Sequence, residues 1–394
     1  MPRARLMLPL AVAGALGLLG CSGGQPPSPT STSSISVPAP SGLRVETVVD
    51  GLENPWDVGV LPDGALLVTE RPGRLSLVSS GEPGATATAI AAELDDVGAR
   101  GEGGLMGLWV HPDFTRSRQF TTCQTHAEGD ALTDIRLVTW QLSADRASAV
   151  KVADLLTGLP VAGSGRHSGC RLALSADGGL LVGTGDTARG DVPQDLASLG
   201  GKVLRIDPAT GEGLPDNPFG ESTDPNERRI VSYGHRNVQG LAVQPGSGEV
   251  YTAEHGPATD DEVNRIVPAG NYGWDPSRGG TRGGYDESVP MTDLTRFPDA
   301  IPAIWSTGTP TQALAGAAFL EGPAWGVSRG LLAVAALKGS RLILVDVTSG
   351  AVQTPTALDG EFGRLRAVVP GGDGILFVTT SNGDNDRILR VTPT

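Results

Sequence analysis

Short runs of apolar and β-branched residues, each introduced by an Asp, Ser or Gly turn signal, recur along the chain. The six segments are PDGALLVTE at 62–70, HPDFTRSRQFTTC at 111–123, ADGGLLVGTGD at 176–186, GSGEVYTAEHG at 246–256, SRGLLAVAALKG at 328–339 and GGDGILFVTTSNG at 371–383. Each predicts a turn that leads into a short strand. Neighbouring stretches such as GKVLRIDP and DRILRVTP alternate apolar and polar residues, which predicts further strands.

Six turn–strand units with almost no helical periodicity predict an all-β fold. Their spacing of about 45 to 80 residues leaves room for four antiparallel strands in each unit. We therefore expect a six-bladed β-propeller with four-stranded antiparallel blades over residues 44–394, and a large β-sandwich or two β domains is the alternative. Inner strands of a propeller line a central channel, so polar residues near their ends are the candidates for a binding site.

Composition agrees with a turn-rich fold and narrows the choice of partners. The 394 residues include 56 glycines and 30 prolines, about 22% together, which argues against long helical bundles. The net charge of −14 would repel a phosphate backbone, so nucleic acid is excluded as an expected partner.

The N-terminal residues have the features of an export signal. Arg3 and Arg5 precede an uncharged run that ends at Cys21, which predicts a signal peptide over 1–20. The sequence LLGC at 18–21 resembles the lipobox of bacterial lipoproteins. This resemblance implies cleavage before Cys21 and acylation of its sulfur; an ordinary signal peptide is the alternative. Residues 21–43 are typical of a flexible tether. We expect an exported lipoprotein, at the cell surface or in the periplasm, that touches the membrane only through its lipid.

Two further cysteines remain in the body of the chain, Cys123 and Cys170. An even pair in an exported protein favours a disulfide, and two free buried thiols are the alternative.

Candidate catalytic residues lie in glycine-rich loops that precede predicted strands. Glu102 lies in GEGGLMGLWVHPDF, where the glycines allow a tight loop, although a solvated glutamate in a turn would look the same. His167 lies in SGRHSGCRLAL, where a general base could be exposed at a channel mouth. Asp186 ends the next strand and could hold one imidazole nitrogen, whereas a lone loop histidine is more often a surface residue.

Two groups of residues carry candidate positive charge. The segment SYGHRNVQGLAV places Arg236 and Asn237 at a strand entry, an arrangement suited to carboxylates or quinone oxygens. Lys338, one of three lysines, follows a strand, while Arg364 and Arg366 lie two residues apart and so share a strand face. On position alone, residues such as these last three are more often surface charges.

Candidate cation ligands are concentrated in EHGPATDDEVNRIVPAGNYGW at 254–274. Asp261 and Glu262 supply carboxylates, and the carbonyls of Gly256 and Pro257 are free to turn toward a hard cation such as calcium. The spacing is not that of an EF-hand, and a solvated acidic turn is the alternative.

In this order, the clusters resemble the soluble PQQ-dependent glucose and aldose sugar dehydrogenases, from about Gly51 to Val391. The resemblance implies that His167 is the base that takes the proton of the anomeric hydroxyl while hydride passes to PQQ. Asp186 would then orient His167, and Arg236 with Asn237 would face the quinone. Lys338, Arg364 and Arg366 match the cations that anchor the carboxylates of PQQ.

The same resemblance implies two calcium ions. One would use the carbonyls of Gly256 and Pro257 and bridge to PQQ, and a structural one would involve Asp261, Glu262 and Tyr272. Departures from the family pattern, at Cys170 and in the stretch WSTGTPTQALAG, fall mainly on the walls that would face the sugar.

Glu102 matches a position beside the sugar and favours the aldose branch. The predicted function is therefore oxidation of the C1 hydroxyl of aldoses to the lactone, with electrons passed to an external acceptor, by a monomer or dimer. A calcium-dependent lactonase of the gluconolactonase type and a non-catalytic sugar-binding propeller are the alternatives. A cluster of cations suited to a tricarboxylate cofactor argues against the lactonase.

Overall fold

The predicted six-bladed β-propeller is confirmed. The structure, a computed structural model, describes residues 42–278 and 284–394. It contains six separate four-stranded sheets in which neighbouring strands are antiparallel. The predicted signal peptide and Cys21 lie outside the described residues, as does nearly all of the predicted tether.

The innermost strand of each blade lines the central channel. These strands are β2 (Pro55–Val60), β6 (Leu105–Val110), β10 (Gly169–Leu174), β14 (Val238–Val243), β18 (Leu314–Phe319) and β22 (Leu365–Gly372). Inner strands of consecutive blades contact one another, and β22 contacts β2, so the ring is closed.

All six turn–strand units found in the sequence become the second strands of their blades. These are β3 (Leu66–Glu70), β7 (Gln119–Glu128), β11 (Leu180–Thr184), β15 (Val250–Glu254), β19 (Leu332–Ala336) and β23 (Ile375–Thr380). Second strands pack between two partners and are buried almost throughout, for example over all of β3, β11 and β19. Burial on both faces explains their continuous apolar runs.

The third and fourth strands complete the blades. The third strands are β4 (Arg74–Val78), β8 (Ala131–Leu142), β12 (Lys202–Ile206), β16 (Glu262–Arg265), β20 (Arg341–Val345) and β24 (Asp384–Pro393). The outer strands are β5 (Ala87–Ile90), β9 (Ala149–Leu159), β13 (Ile230–Tyr233), β17 (Trp305–Ser306), β21 (Val352–Gln353) and β1 (Leu43–Glu53). Because β1 pairs with β24, the last blade contains strands from both ends of the described chain.

Helical structure is minor within the described ranges. A four-residue helix, α1, spans Phe114–Ser117, and short 3-10 turns lie at Glu227–Arg229, Pro323–Ser328 and Thr356–Leu358. No helix in these ranges has the length and apolar character needed to cross a membrane. A disulfide joins Cys123 on β7 to Cys170 on β10 and so links the second and third blades.

Candidate active site

The loops at one end of the channel carry the candidate residues. In each blade the start of the inner strand is paired with the end of the second strand, as in Gly169 with Thr184 and Val238 with Glu254. Loops that precede inner strands and loops that follow second strands therefore share one mouth. Within three residues of these strand ends lie Glu102, His167, Asp186, Arg236, Asn237, Gly256, Pro257, Lys338, Arg364 and Arg366.

His167 and Asp186 form a buried pair at this mouth. His167 Nδ1 lies 2.7 Å from Asp186 Oδ1, and the two residues are 2% and 0% exposed. A carboxylate that accepts the Nδ1 proton leaves the lone pair on Nε2, the form that a general base needs. Consistent with that tautomer, Arg166 Nη2 lies 3.3 Å from Nε2 as a donor.

Three further donors hold the Asp186 carboxylate. Trp274 Nε1 donates to Oδ2 over 2.7 Å, the Tyr285 hydroxyl donates to Oδ2 over 2.8 Å, and the Ala188 amide donates to Oδ1 over 2.8 Å. Burial alone would raise the pKa of Asp186, but the hydrogen bond and charge of His167, together with other nearby groups, lower it. The carboxylate is therefore anionic and fixed in place.

Glu102 lies at the same channel mouth and accepts hydrogen bonds from two side-chain amides. Asn237 Nδ2 donates to Glu102 Oε2 over 2.9 Å, and Gln239 Nε2 donates to the same oxygen over 3.1 Å. Burial acts to raise the pKa of Glu102, but the charges of His167 and His255 with the Asn237 hydrogen bond lower it overall. An ionised carboxylate thus stands beside the candidate base.

Arg236 is almost fully buried at the mouth, and one of its three guanidinium nitrogens has no partner among the described residues. Its Nη1 donates to the His255 carbonyl over 2.5 Å, and its Nη2 pairs with Glu287 over 2.6 Å. Glu287 also pairs with Arg166 over 2.7 Å. Arg236 Nε is buried and has no partner in the part of the chain that the structure describes, so this N–H is left for a bound group.

Two arginines lie deeper in the channel. Arg366 is 6% exposed and donates from Nη1 to Gln239 Oε1 over 3.1 Å. Arg171 pairs with Asp57 over 2.7 Å. Burial, followed by the charge of Arg171, lowers the pKa of Arg366 to about 9. The charges of Arg171 and Arg364 act against the Arg366 cation and the charge of Glu102 favours it, so an anionic ligand beside Arg366 would be stabilised.

Arg364 and Lys338 supply cations at the rim. The sequence places Arg364 and Arg366 on one strand face, but Arg364 precedes β22 and is exposed at the mouth, whereas Arg366 lies inside. Lys338 is exposed where the turn after β19 meets the backbone of Gln312. Within residues 42–278 and 284–394, neither side chain has an ion-pair partner.

Asp261 and Glu262 have different partners. Asp261 accepts hydrogen bonds from the backbone amides of Gly256 over 2.8 Å and Ala313 over 2.8 Å, and so joins the loops of the fourth and fifth blades. Glu262 lies opposite Glu254 in the sheet, and burial followed by the Glu254 charge raises its pKa to about 8. A cation beside Glu254 and Glu262 would relieve the repulsion between their carboxylates.

The remaining residues of the predicted calcium sites are also located. The Tyr272 hydroxyl donates to the Arg265 carbonyl over 2.5 Å, and the predicted set Asp261, Glu262 and Tyr272 has no common partner among the described residues. The carbonyls of Gly256 and Pro257 accept no backbone hydrogen bond from the described chain. In the ranges that the structure describes, no group of three or more His, Cys, Asp or Glu side chains is arranged to hold a metal.

A comparison with known proteins identifies the family of this chain. The family model described as "Glucose / Sorbosone dehydrogenase" matches residues 52–390. The chain belongs to that family. The predicted membership in the soluble glucose and aldose sugar dehydrogenases is thereby confirmed.

Several known proteins are similar to this chain over most of their length. Aldose sugar dehydrogenase YliI of Escherichia coli is 29% identical over 90% of this chain and 94% of its own. A putative oxidoreductase (glucose dehydrogenase) of Thermus thermophilus is 39% identical, with a TM-score of 0.74 over 89% of this chain and all of its own. The PQQ-bound aldose sugar dehydrogenase of Streptomyces coelicolor is 31% identical, with a TM-score of 0.71 over 90% and 99%.

Sequence reasoning missed several side chains of this family member's site. Trp274 lies in the NYGW motif, yet no pattern indicated that its indole would reach Asp186. Tyr285 and Glu287 come from the long excursion between β16 and β17, which has no repeat signal. A tyrosine in an otherwise polar, glycine-rich stretch was the only hint available.

Proposed function

We propose that this chain is a PQQ- and calcium-dependent aldose sugar dehydrogenase that oxidises the C1 hydroxyl of aldoses to the lactone. The observation that carries the proposal is the buried His167–Asp186 pair beside Arg236, whose Nε has no partner among the described residues. A base with a fixed tautomer next to a guanidinium that has a free N–H is what removal of a proton and stabilisation of a reduced quinone require. Family membership and the identities of the relatives support the same assignment.

The described residues fit PQQ, which carries three carboxylates and an ortho-quinone. Arg366 inside the channel and Arg364 and Lys338 at the rim would hold the carboxylates, and the free Nε–H of Arg236 with Asn237 would face the quinone. When bound, PQQ would supply the electron sink for hydride from the sugar. The side chains of this protein would bind the cofactor, orient the sugar and remove the proton of its C1 hydroxyl.

The proton path follows from the tautomer of His167. Nε2 accepts the C1 hydroxyl proton, and the imidazolium that forms is stabilised by the Asp186 carboxylate 2.7 Å from Nδ1. Glu102 is ionised next to His167 and offers an acceptor to a sugar hydroxyl. Its hydrogen bonds from Asn237 and Gln239 keep the carboxylate in one orientation.

Calcium, export and oligomeric state are further parts of the proposal. The carbonyls of Gly256 and Pro257 would hold a calcium ion next to the cofactor, since neither accepts a backbone hydrogen bond from the described chain. A structural calcium would use oxygens from Asp261, Glu262 and Tyr272. The protein would be an exported lipoprotein anchored through Cys21, a monomer or dimer, and would pass electrons to an external acceptor.

Reconstitution tests the assignment. Purified protein is loaded with PQQ and calcium, and dye reduction is followed with a panel of aldoses. We expect aldose-dependent dye reduction that requires PQQ. Hydrolysis of lactones without PQQ would instead support a gluconolactonase-type enzyme, and sugar binding without turnover would support a non-catalytic propeller.

The His167→Ala variant tests the mechanism. We expect PQQ binding, measured by absorbance titration, to change little, because the proposed anchoring cations lie on other blades. Dye reduction should fall by about 10²- to 10⁴-fold, the usual contribution of a general base. Unchanged turnover at equal PQQ loading would remove His167 from the mechanism.

A further inference from the structure

The Cys123–Cys170 disulfide lies next to the candidate base. Cys123 is on the second strand of the second blade, and Cys170 is on the inner strand of the third blade, three residues after His167. Both cysteines are 0% exposed. The disulfide therefore fixes the base-carrying segment covalently to the neighbouring blade.

The backbone around His167 is held in an unfavourable conformation. His167 and Cys170 have φ of 53° and 76°, and Gly165 and Gly169 have φ of 72° and 57°. Non-glycine residues rarely occupy this left-handed region and persist there only when the surroundings impose it. The strand register also shifts between Gly169 and Arg171, so a β-bulge lies at Cys170. This segment needs external restraints to keep its shape.

Restraints from the third and fourth blades hold one side of the segment. The Gly169 amide donates to Asn237 Oδ1 over 3.0 Å. The backbone of Gly185 packs so closely on His167 that an added Cβ would lie 1.9 Å from the His167 carbonyl oxygen. These contacts set the distance between His167 and Asp186.

Restraints from the second blade hold the other side. The Glu102 amide donates to the Gly165 carbonyl over 3.1 Å, and the disulfide is the covalent connection from this blade. The Cβ of a residue at Gly107 would lie 2.1 Å from the Cys170 carbonyl oxygen, so the two inner strands are already in tight contact there. Glu102 is carried by the second blade and His167 by the third, and the disulfide fixes one to the other.

We propose that the Cys123–Cys170 disulfide is a positioning element for His167, which holds the imidazole in register with Asp186 and with Glu102. The proposal rests on the proposed function, in which His167 is the base. An imidazole displaced by about 1 Å loses about 10²-fold in rate without losing the proton acceptor itself. The effect should therefore fall on kcat, while PQQ affinity, set by cations of other blades, stays the same.

The test compares full-length wild type with Cys123→Ala/Cys170→Ala, both loaded with PQQ and calcium. We expect kcat to fall at least about tenfold, with PQQ affinity within about twofold of wild type. Hydrogen exchange of the amides in 165–171 should accelerate at least about tenfold more than that of amides in the fifth blade. A general loss of stability alone would accelerate exchange in both regions alike and would leave the kcat of the folded molecules unchanged.

Leu344→Ala is the matched control. Leu344 is 0% exposed in the core of the fifth blade, far from the disulfide in the chain, and its truncation lowers Tm through a cavity. We expect Leu344→Ala to lower Tm while keeping kcat and the local exchange of 165–171 close to wild type. If the cysteine variant behaves like Leu344→Ala, the disulfide only stabilises the fold and the proposal is wrong.

A second cysteine variant covers the case in which alanine at position 170 prevents folding. Cys123→Ala/Cys170→Gly places glycine where φ is 76°, a conformation that glycine adopts without strain. It should fold and still show the reduced kcat, and wild-type kcat in this variant would overturn the proposal. If PQQ-loaded wild type shows no dehydrogenase activity, the proposed function fails, and the exchange of 165–171 still decides whether the disulfide restrains the segment that carries His167.

Discussion

Asp186→Asn is the substitution that tests the base most directly. Two oxygens of Asp186 accept hydrogen bonds from His167 Nδ1, Trp274 Nε1, Tyr285 OH and the Ala188 amide. Asparagine keeps the volume but offers one oxygen and an NH₂ group. Its NH₂ group would either face another donor or donate to Nδ1. In the second case the imidazole proton moves to Nε2, and the lone pair that should accept the sugar proton is lost.

The expected magnitude has a catalytic part and a stability part. Loss of a correctly oriented base costs about 10²- to 10⁴-fold in kcat, or about 3 to 5.5 kcal/mol of barrier. Removing a buried charge that accepts several hydrogen bonds lowers the free energy of unfolding by about 2–4 kcal/mol. The pKa of Asp186 is lowered in the fold, so its stabilisation is present above the unfolded value of 3.8 and is lost as pH falls through the folded pKa.

The assay measures kcat, KM and urea unfolding for wild type, Asp186→Asn and a control. Asp177→Asn is the matched control, because Asp177 lies in the turn at the other end of the same blade and pairs with Arg205 at the surface. The stability gap between wild type and Asp186→Asn should be full at pH 7 and shrink below about pH 4. A kcat within about threefold of wild type at equal PQQ loading would refute the assigned role of Asp186.

Two other substitutions test a proposed cofactor-binding arginine and the close backbone contact between Gly185 and His167. Arg366→Met should weaken PQQ binding by about 10- to 100-fold in a fluorescence titration, because it removes a buried guanidinium that PQQ carboxylates would neutralise. Equal affinity would remove Arg366 from the cofactor site. Gly185→Ala would place a Cβ 1.9 Å from the His167 carbonyl oxygen, so kcat should fall by about 10²-fold while PQQ affinity changes little. A fully active Gly185→Ala protein would contradict the assigned position of His167.

The part of the fold that sequence patterns predict best is the second strand of each blade. β3, β11 and β19 lie between two partners and are buried throughout, so their apolar runs stand out beside polar turns. The outer strands β17 and β21 are two residues long, and no period can be read from so short a segment.

Closure of the ring is the feature that local patterns do not contain. β1 resembles any other alternating strand, and its partner β24 lies at the opposite end of the chain. The pairing of Val45 with Val391 satisfies an edge that would otherwise be open. Only the requirement that each blade contain four strands indicates it, because β22, β23 and β24 alone would leave the sixth blade one strand short, and that requirement is a property of the whole fold.

The residues of the site also differ in how well the sequence predicts them. His167 and Asp186 are predictable because the topology of a blade fixes which strand ends share a mouth, and the two residues stand at those ends. Trp274 and Tyr285 reach the same carboxylate from the excursion between β16 and β17, where the chain path follows no repeat. Residues on regular elements can be placed from their spacing, whereas residues on an irregular excursion depend on its packing.

The distribution of charge explains how an acidic protein could bind the acidic cofactor that we propose. A net charge of −14 repels a tricarboxylate at long range, but that repulsion is screened beyond about 8 Å at physiological salt. Inside the channel, Arg366 is already desolvated, and this burial is the main reason that its pKa is lowered. The cost of burying this guanidinium is met when the protein folds, so a carboxylate that binds beside it recovers that free energy as affinity. Surface acidity would then affect mainly the rate of PQQ association, while the buried Arg366 would contribute to the strength and orientation of binding.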